Sequence, residues 1–208
     1  GLLASESERR EAALEHFQAA RGGAPTNAEY ALYLAQAHLA LNQVEQAKAT
    51  LVATVHLDPE SATAWGTLGE IFLRENKVEM AIENVRRARA LQPEVAVWRL
   101  VEARALKRQG QAEEALQLLL ALPGPEQRDG PVLALIAECY ALLGRPAEAA
   151  ARYGAASDVR PTDARLALDA AEWFRRVPDL ERARYYADRA AMLGDAAGAA
   201  LAAELRGA

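Results

Sequence analysis

The sequence predicts an all-α chain, a solenoid of antiparallel helix pairs, on three observations. Residues of like character recur every 34 positions along the 208-residue chain. Within each period an apolar pattern of helical spacing breaks twice, once near the middle and once at a proline. No segment alternates apolar and polar residues as a half-buried strand does. Ala13, Ala47, Ala81, Ala115, Ala149 and Ala183 form one column of the repeat. Alanine is abundant here, so that column decides little alone, but the others agree with it. They are Phe17, Leu51, Val85, Leu119, Tyr153 and Ala187; Ala20, Thr54, Ala88, Leu122, Ala156 and Ala190; and Pro25, Pro59, Pro93 and Pro161.

Taken in order, residues 1–27 read as a half-unit, the second helix of a pair. Ser5 stands three residues before Glu8, a capping-box start for a helix running to about Ala20 and closed by the turn Gly22-Gly23-Ala24-Pro25. Five full units follow, at 28–61, 62–95, 96–129, 130–163 and 164–195. The turn between their two helices falls on Asn42, Asn76, Gly110 and Gly144, the residue types that most readily take the left-handed conformation closing a helix. Pro178 replaces them in the fifth unit, so the turn Arg176-Val177-Pro178-Asp179 must be built differently. Small residues at Ala35, Gly69, Ala103, Ala137 and Ala171 let each first helix approach its second at the Ala47-type column. The third unit departs from the pattern: Trp98 stands one place early, Glu102 falls at a position usually apolar, and Pro123-Gly124-Pro125 with a polar stretch replaces the single proline. An unpaired buried charge costs several kcal/mol, so a first helix rotated by one residue, exposing Glu102, is expected there. Residues 196–208 carry Leu201 and Leu205 four apart and resemble a further first helix without the polar outer face of a terminal cap. An excerpt of a longer array is the expectation.

Trp65, Leu68, Gly69, Phe72, Ala81, Ala88 and Pro93 resemble the tetratricopeptide-repeat (TPR) signature W-x2-L-G-x2-Y followed by A and P, and the resemblance extends over residues 28–195. It implies a right-handed superhelical α-solenoid whose first helices line a concave groove that receives an extended peptide or a partner helix. Carried over by register, the groove positions are Leu32, Gln36, Leu39 and Ala40 in the first unit and Gly66, Glu70, Leu73 and Arg74 in the second. The third supplies Leu100, Arg104, Lys107 and Arg108, the fourth Ala134, Glu138, Ala141 and Leu142, and the fifth Leu168, Glu172, Arg175 and Arg176.

Arg104, Lys107 and Arg108 lie at i, i+3 and i+4 and share one helical face, where an acidic partner segment could dock. The alternative is ion pairing with Glu70 and Glu138, and exposed pairs of that kind are common and weak. Glu70 with Arg74 and Glu172 with Arg176 have the i, i+4 spacing of pairs that neutralise each other. The family's two-carboxylate clamp for chaperone tails uses Lys and Asn at groove positions; Leu32 and Gln36 stand there instead, against that ligand. The asparagine ladder of the sugar-transferase relatives is not matched either, because Asn27, Asn42, Asn76 and Asn84 fall in turns or on second helices.

Catalysis finds little support. His16, His38 and His56 show no metal-ligand or general-base spacing, and His38 falls in the core column of Phe72, Leu106, Tyr140 and Phe174. Cys139, the only cysteine, excludes an intramolecular disulfide or a cysteine-based zinc site and reads as a small packed side chain. Trp65, Trp98 and Trp173 read as core, and Glu113-Glu114 as acids complementing a helix dipole. No phosphate-cradling glycine loop, nucleophile elbow or HExxH occurs. A non-enzyme without cofactor or metal is expected.

With 24 Lys+Arg against 29 Asp+Glu the net charge is -5, which argues against a general nucleic-acid or anionic-membrane binder. No run approaches the ~20 apolar residues needed to span a bilayer. The basic residues are nearly all arginine and alanine is heavily used, pointing to a GC-rich bacterial genome. The expected function is a non-catalytic scaffold or adaptor within a bacterial assembly for secretion, pilus formation, envelope biogenesis or polysaccharide export, in cytoplasm or periplasm. Two other readings are a regulatory or substrate-recruiting region of a multidomain enzyme, and a scaffold that self-assembles into homo-oligomers through uncapped solenoid ends.

Overall fold

The computed structural model describes residues 2–24 and 27–207. The chain divides between Ala105 and Leu106 into two compact units. All regular structure among the described residues is helical.

In the first unit, α1 (Leu2–Gly23) packs on α2 (Ala28–Ala40), which pairs with α3 (Val44–Leu57); α4 (Ala62–Arg74) pairs with α5 (Val78–Leu91), and α6 (Ala96–Arg108) begins. Helix α1 starts earlier and ends later than the capping-box reading placed it, so Ser5 lies inside the helix. Leu2, Leu3 and Ala4 are strong helix formers and extend it past that signal. Pro25, named above in a turn and in the proline column, lies outside the described residues. In the second unit, α7 (Ala112–Leu120) and the single turn α8 (Gly124–Gln127) lead to the pairs α9 (Gly130–Leu142) with α10 (Pro146–Val159) and α11 (Ala164–Arg176) with α12 (Leu180–Met192). Helix α13 (Ala196–Gly207) packs on α12 and α11. None of the described helices is long and apolar enough to cross a membrane.

The turns explain the helix lengths. Asn42, Asn76, Gly110 and Gly144 stand at φ 58°, 60°, 86° and 68°. The residue after each donates its N–H back to the carbonyl five positions earlier: Gln43 to His38 at 2.8 Å, Lys77 to Phe72 at 2.8 Å, Gln111 to Leu106 at 2.9 Å and Arg145 to Tyr140 at 2.9 Å. These are Schellman closures. The Pro178 turn keeps that closure, Asp179 N–H to Phe174 at 3.0 Å, but proline has no N–H to make the inner bond that Asn42 makes to Leu39 at 3.0 Å. Helix α7 is short because Pro123 and Pro125 cannot continue it; Gln127 turns back and donates from Nε2 to the Leu120 and Leu122 carbonyls at 2.5 and 2.7 Å, satisfying the end of the helix.

The repeat columns are the core. Ala47, Ala81, Ala115, Ala149 and Ala183 are fully buried, as are Ala35, Ala103, Ala137 and Ala171 on the first helices. A Cβ at Gly69 would stand 3.2 Å from both the Ala81 carbonyl oxygen and the Val85 Cβ, so only a very small residue permits this approach. Leu51, Val85 and Leu119 are buried beside the alanines, each contributing about 1.5–3 kcal/mol by leaving water.

The third unit corrects the expectation about Glu102. No rotation exposes it: the residue is 1% exposed. Arg86 donates from Nε to Oε1 at 2.7 Å, and Arg89 Nε stands 2.7 Å from Oε2, an ion-pair distance at an angle too poor for a hydrogen bond. The two arginines, three apart on α5, share one face and supply the countercharge that makes burial tolerable. Trp98 is buried as well, its ring over Gly66, where a Cβ would stand 2.1 Å from the indole.

Candidate functional site

The residues carried over by register lie on the first helices, and their exposure divides them. In the first unit, Leu32 and Leu39 on α2 are half-buried while Gln36 and Ala40 are exposed. On α4, Gly66 is buried beneath Trp98 and Leu73 is buried in the core, so neither offers surface; both departures have one physical cause, the close seating of neighbouring helices. Glu70 is half-buried and Arg74 exposed, and the i, i+4 ion pair expected between them does not form. On α6, Leu100 is half-buried and Arg104 exposed, with no carboxylate paired to Arg104.

In the second unit, Lys107 is half-buried and ion-paired with Glu138 on α9. Ala134 and Ala141 are half-buried, Arg108 is exposed, and Leu142 is 62% exposed. On α11, Leu168 and Glu172 are half-buried. Arg175 reaches Glu204 on α13 at 2.9 Å. Arg176 lies over the Trp173 ring, 4.3 Å from its centroid, rather than pairing with Glu172 as expected. A cation over an indole face is worth about 0.5–1 kcal/mol at an exposed site, comparable with an exposed i, i+4 ion pair.

Sequence reasoning passed over several groups that complete this face. Tyr153 on α10 stacks on Trp173 with ring centroids 6.1 Å apart. Arg165 donates from Nε to Asp169 at 3.1 Å. Burial raises the Asp169 carboxyl above its ordinary value, and the Arg165 bond opposes that shift. The Arg165–Asp169 pair has i, i+4 spacing and was readable; the stack across two helices was not. At the end of α4, Glu75 accepts from Lys48 and Lys77 at 2.6 Å each, and Lys48, then Lys77, hold its carboxyl below the usual range.

The groups with catalytic potential are packed away. His38 is buried, with Nδ1 2.7 Å from Gln43 Oε1. Cys139 is fully buried and burial pushes its thiol up to about 11, the setting of an inert rather than a reactive sulfur. No cluster of three or more metal-ligating side chains occurs among the described residues. Trp65, half-buried, donates from Nε1 to the Pro59 carbonyl at 2.9 Å and is spanned by Arg87.

The sequence matches the tetratricopeptide repeat family over residues 4–71 and again over 72–139. With more than half of its length so matched, the chain belongs to the tetratricopeptide repeat family, and its fold is an α-solenoid of helix pairs. Among solved structures it is similar to YrrB, described as a TPR protein with an unusual peptide-binding site, at TM-score 0.76 and 21% identity over 94% of this chain and all of that one. It is also similar to Pseudomonas aeruginosa pilF, at TM-score 0.70 and 25% identity over 86% of this chain and 82% of that one. In sequence it is 28% identical over 111 residues to superkiller complex protein 3 of Mus musculus, a match covering 53% of this chain and 7% of that protein. The chain thus spans a small fraction of that relative. Members of the family are in general non-catalytic protein–protein interaction scaffolds.

Proposed function

We propose that this chain is a scaffold or adaptor that holds an extended peptide or a partner helix along the face of its first helices, as part of a larger bacterial assembly. The observation that carries the reading is the contrast along that face. Seam positions of both helices are packed with alanine and aliphatic side chains, whereas Gln36, Arg74, Arg104 and Leu142 are exposed on the first helices. Arg74 and Arg104 have no ion-pair partner among the described residues, so an incoming carboxylate meets cations whose charge is not already spent internally. The peptide-binding site described for YrrB supports the reading of a bound protein segment.

Arg104→Glu combined with Arg108→Glu tests the reading. Capture of an acidic partner peptide in a bead assay is expected to fall at least fivefold while the helical circular dichroism and Tm stay unchanged. Equal capture by the double variant counts against this face.

A further inference from the structure

On α11 the carboxylates lie deeper than the guanidinia that share the helix. Asp169 and Glu172 are half-buried, whereas Arg165, Arg175 and Arg176 are exposed. In the Arg165–Asp169 pair the carboxylate side chain is 25% exposed and the guanidinium side chain 80%. Glu172 has no ion-pair partner among the described residues, because Arg176, the cation at i+4, lies over Trp173. Glu138 on α9 shares its charge with Lys107. Burial raises the Asp169 carboxyl, the Arg165 bond opposes that rise, and Glu172 and Glu138 add to it, so the three acids act on one another.

A phenol hydroxyl with nothing to bond lies toward the same acids. Tyr153 belongs to α10, which packs on both α9 and α11; the residue is 7% exposed and stacks on Trp173. Its hydroxyl has no hydrogen-bond partner among the described residues. Burial raises the phenol, the charges of Glu138 and Asp169 add to the rise, and Arg165 and Arg176 oppose it, which puts the hydroxyl end of the ring in range of all four. Unpartnered side-chain atoms sealed from solvent are confined, among the described residues, to Arg89, Trp98 and Glu102. The Tyr153 hydroxyl is therefore open to an incoming group. Core packing explains the ring; it does not explain a bare hydroxyl placed here.

We propose that Glu138, Asp169, Glu172 and the Tyr153 hydroxyl hold an arginine side chain of the partner, which takes the place of Arg165 on Asp169. The inference rests on the reading that the first helices receive the partner. It adds a cationic determinant in the second unit to the acidic one that Arg74 and Arg104 meet in the first. These acids make no metal-sized group of three among the described residues, so they suit an extended organic cation better than an ion. A guanidinium presents five N–H donors in a planar fork and engages separate acceptors at once. The face already holds guanidinia in this manner, Arg165 on Asp169 and Arg176 on the Trp173 indole. Exposed pairs of the Arg165–Asp169 kind are weak, so Arg165 yields its place to water readily.

Heteronuclear NMR of the whole chain tests this with the peptide Ac-Ala-Ala-Arg-Ala-Ala-NH2 and its citrulline, lysine and glutamate counterparts. The arginine peptide is expected to give saturable shifts at the amides of Glu138, Tyr153, Asp169 and Glu172. Citrulline, neutral and of the same shape, is expected to bind at least fivefold more weakly. Asp169→Asn with Glu172→Gln is expected to weaken the arginine peptide at least fivefold, and Tyr153→Phe, which keeps the stacked ring, at least twofold. Unchanged circular dichroism verifies that the variants fold. No saturable shift at these amides, equal binding of citrulline or lysine, or indifference to the carboxylate substitutions overturns the proposal. Those results leave the broader reading standing if an acidic peptide still shifts first-helix amides. If neither the arginine nor the acidic peptide shifts any first-helix amide, both readings fall.

Discussion

Gly66 and Glu102 set the chemistry of the first unit through what surrounds them. The Trp98 ring occupies the space a Cβ at residue 66 needs, so Gly66→Ala is expected to cost about 1–3 kcal/mol, the usual range for overpacking a core. At about 2–4 °C per kcal/mol for a chain of this size, the loss is readable by thermal melting. The Glu102 ion pairs are asymmetric: the carboxylate is buried while Arg86 and Arg89 reach solvent. Glu102→Leu removes the buried charge and releases the arginines to water, so near-neutral stability is expected. Arg86→Ala with Arg89→Ala strands the carboxylate, and a loss of about 3–5 kcal/mol is expected in urea unfolding. Equal losses in the two experiments would contradict this account. Asp169 has the opposite sign from a salt-bridged acid. Its folded pKa is raised, chiefly by burial, so the folded state holds the proton more tightly than the unfolded one and stability falls as pH rises from the unfolded to the folded value. Asp169→Asn is expected to raise Tm at pH 7, with the gain shrinking as the pH approaches 4. The repeat register put Glu102 at a position usually apolar; what it could not supply was the countercharge, because nothing in the spacing of Arg86 and Arg89 marks them as its partners until α5 and α6 are set side by side.

Helix boundaries were largely legible, and the reasons are local. Asn and Gly at the mid-unit turns announce a left-handed residue, and the Schellman bonds form there. Caps behave likewise: Asn27 accepts from Glu29 and Tyr30, and Asp163 from Arg165 and Leu166. Boundaries failed where two signals competed, as at Ser5, where strong helix formers run through a capping box, and at Pro123-Gly124-Pro125, where a polar stretch became a helical turn that caps its predecessor. The Pro178 turn is the weak one of the set, lacking the inner N–H bond and holding proline at φ 22°, far from the ring's preferred −65° or so. Pro178→Gly restores a donor and a tolerated conformation, and a gain of about 1 kcal/mol is expected by chemical denaturation. A loss of stability would show that the ring contributes contacts outweighing the turn.

At the scale of the molecule, fold and face differ in how sequence encodes them. A repeated column of alanines, a turn residue and a proline is written several times over, so one irregular unit does not obscure it. The binding face is written once, in residues whose partners come from other helices: Lys107 is taken by Glu138, Arg175 by Glu204 and Arg176 by an indole, and none of these pairings follows from spacing alone. The central claim is that the first helices, not the second, receive the partner. Amide hydrogen exchange with and without a saturating acidic partner peptide tests it most directly. Slowed exchange confined to α2, α4, α6, α9 and α11 is the expected result; slowing on α3, α5, α10 or α12 with the first helices unchanged would contradict it.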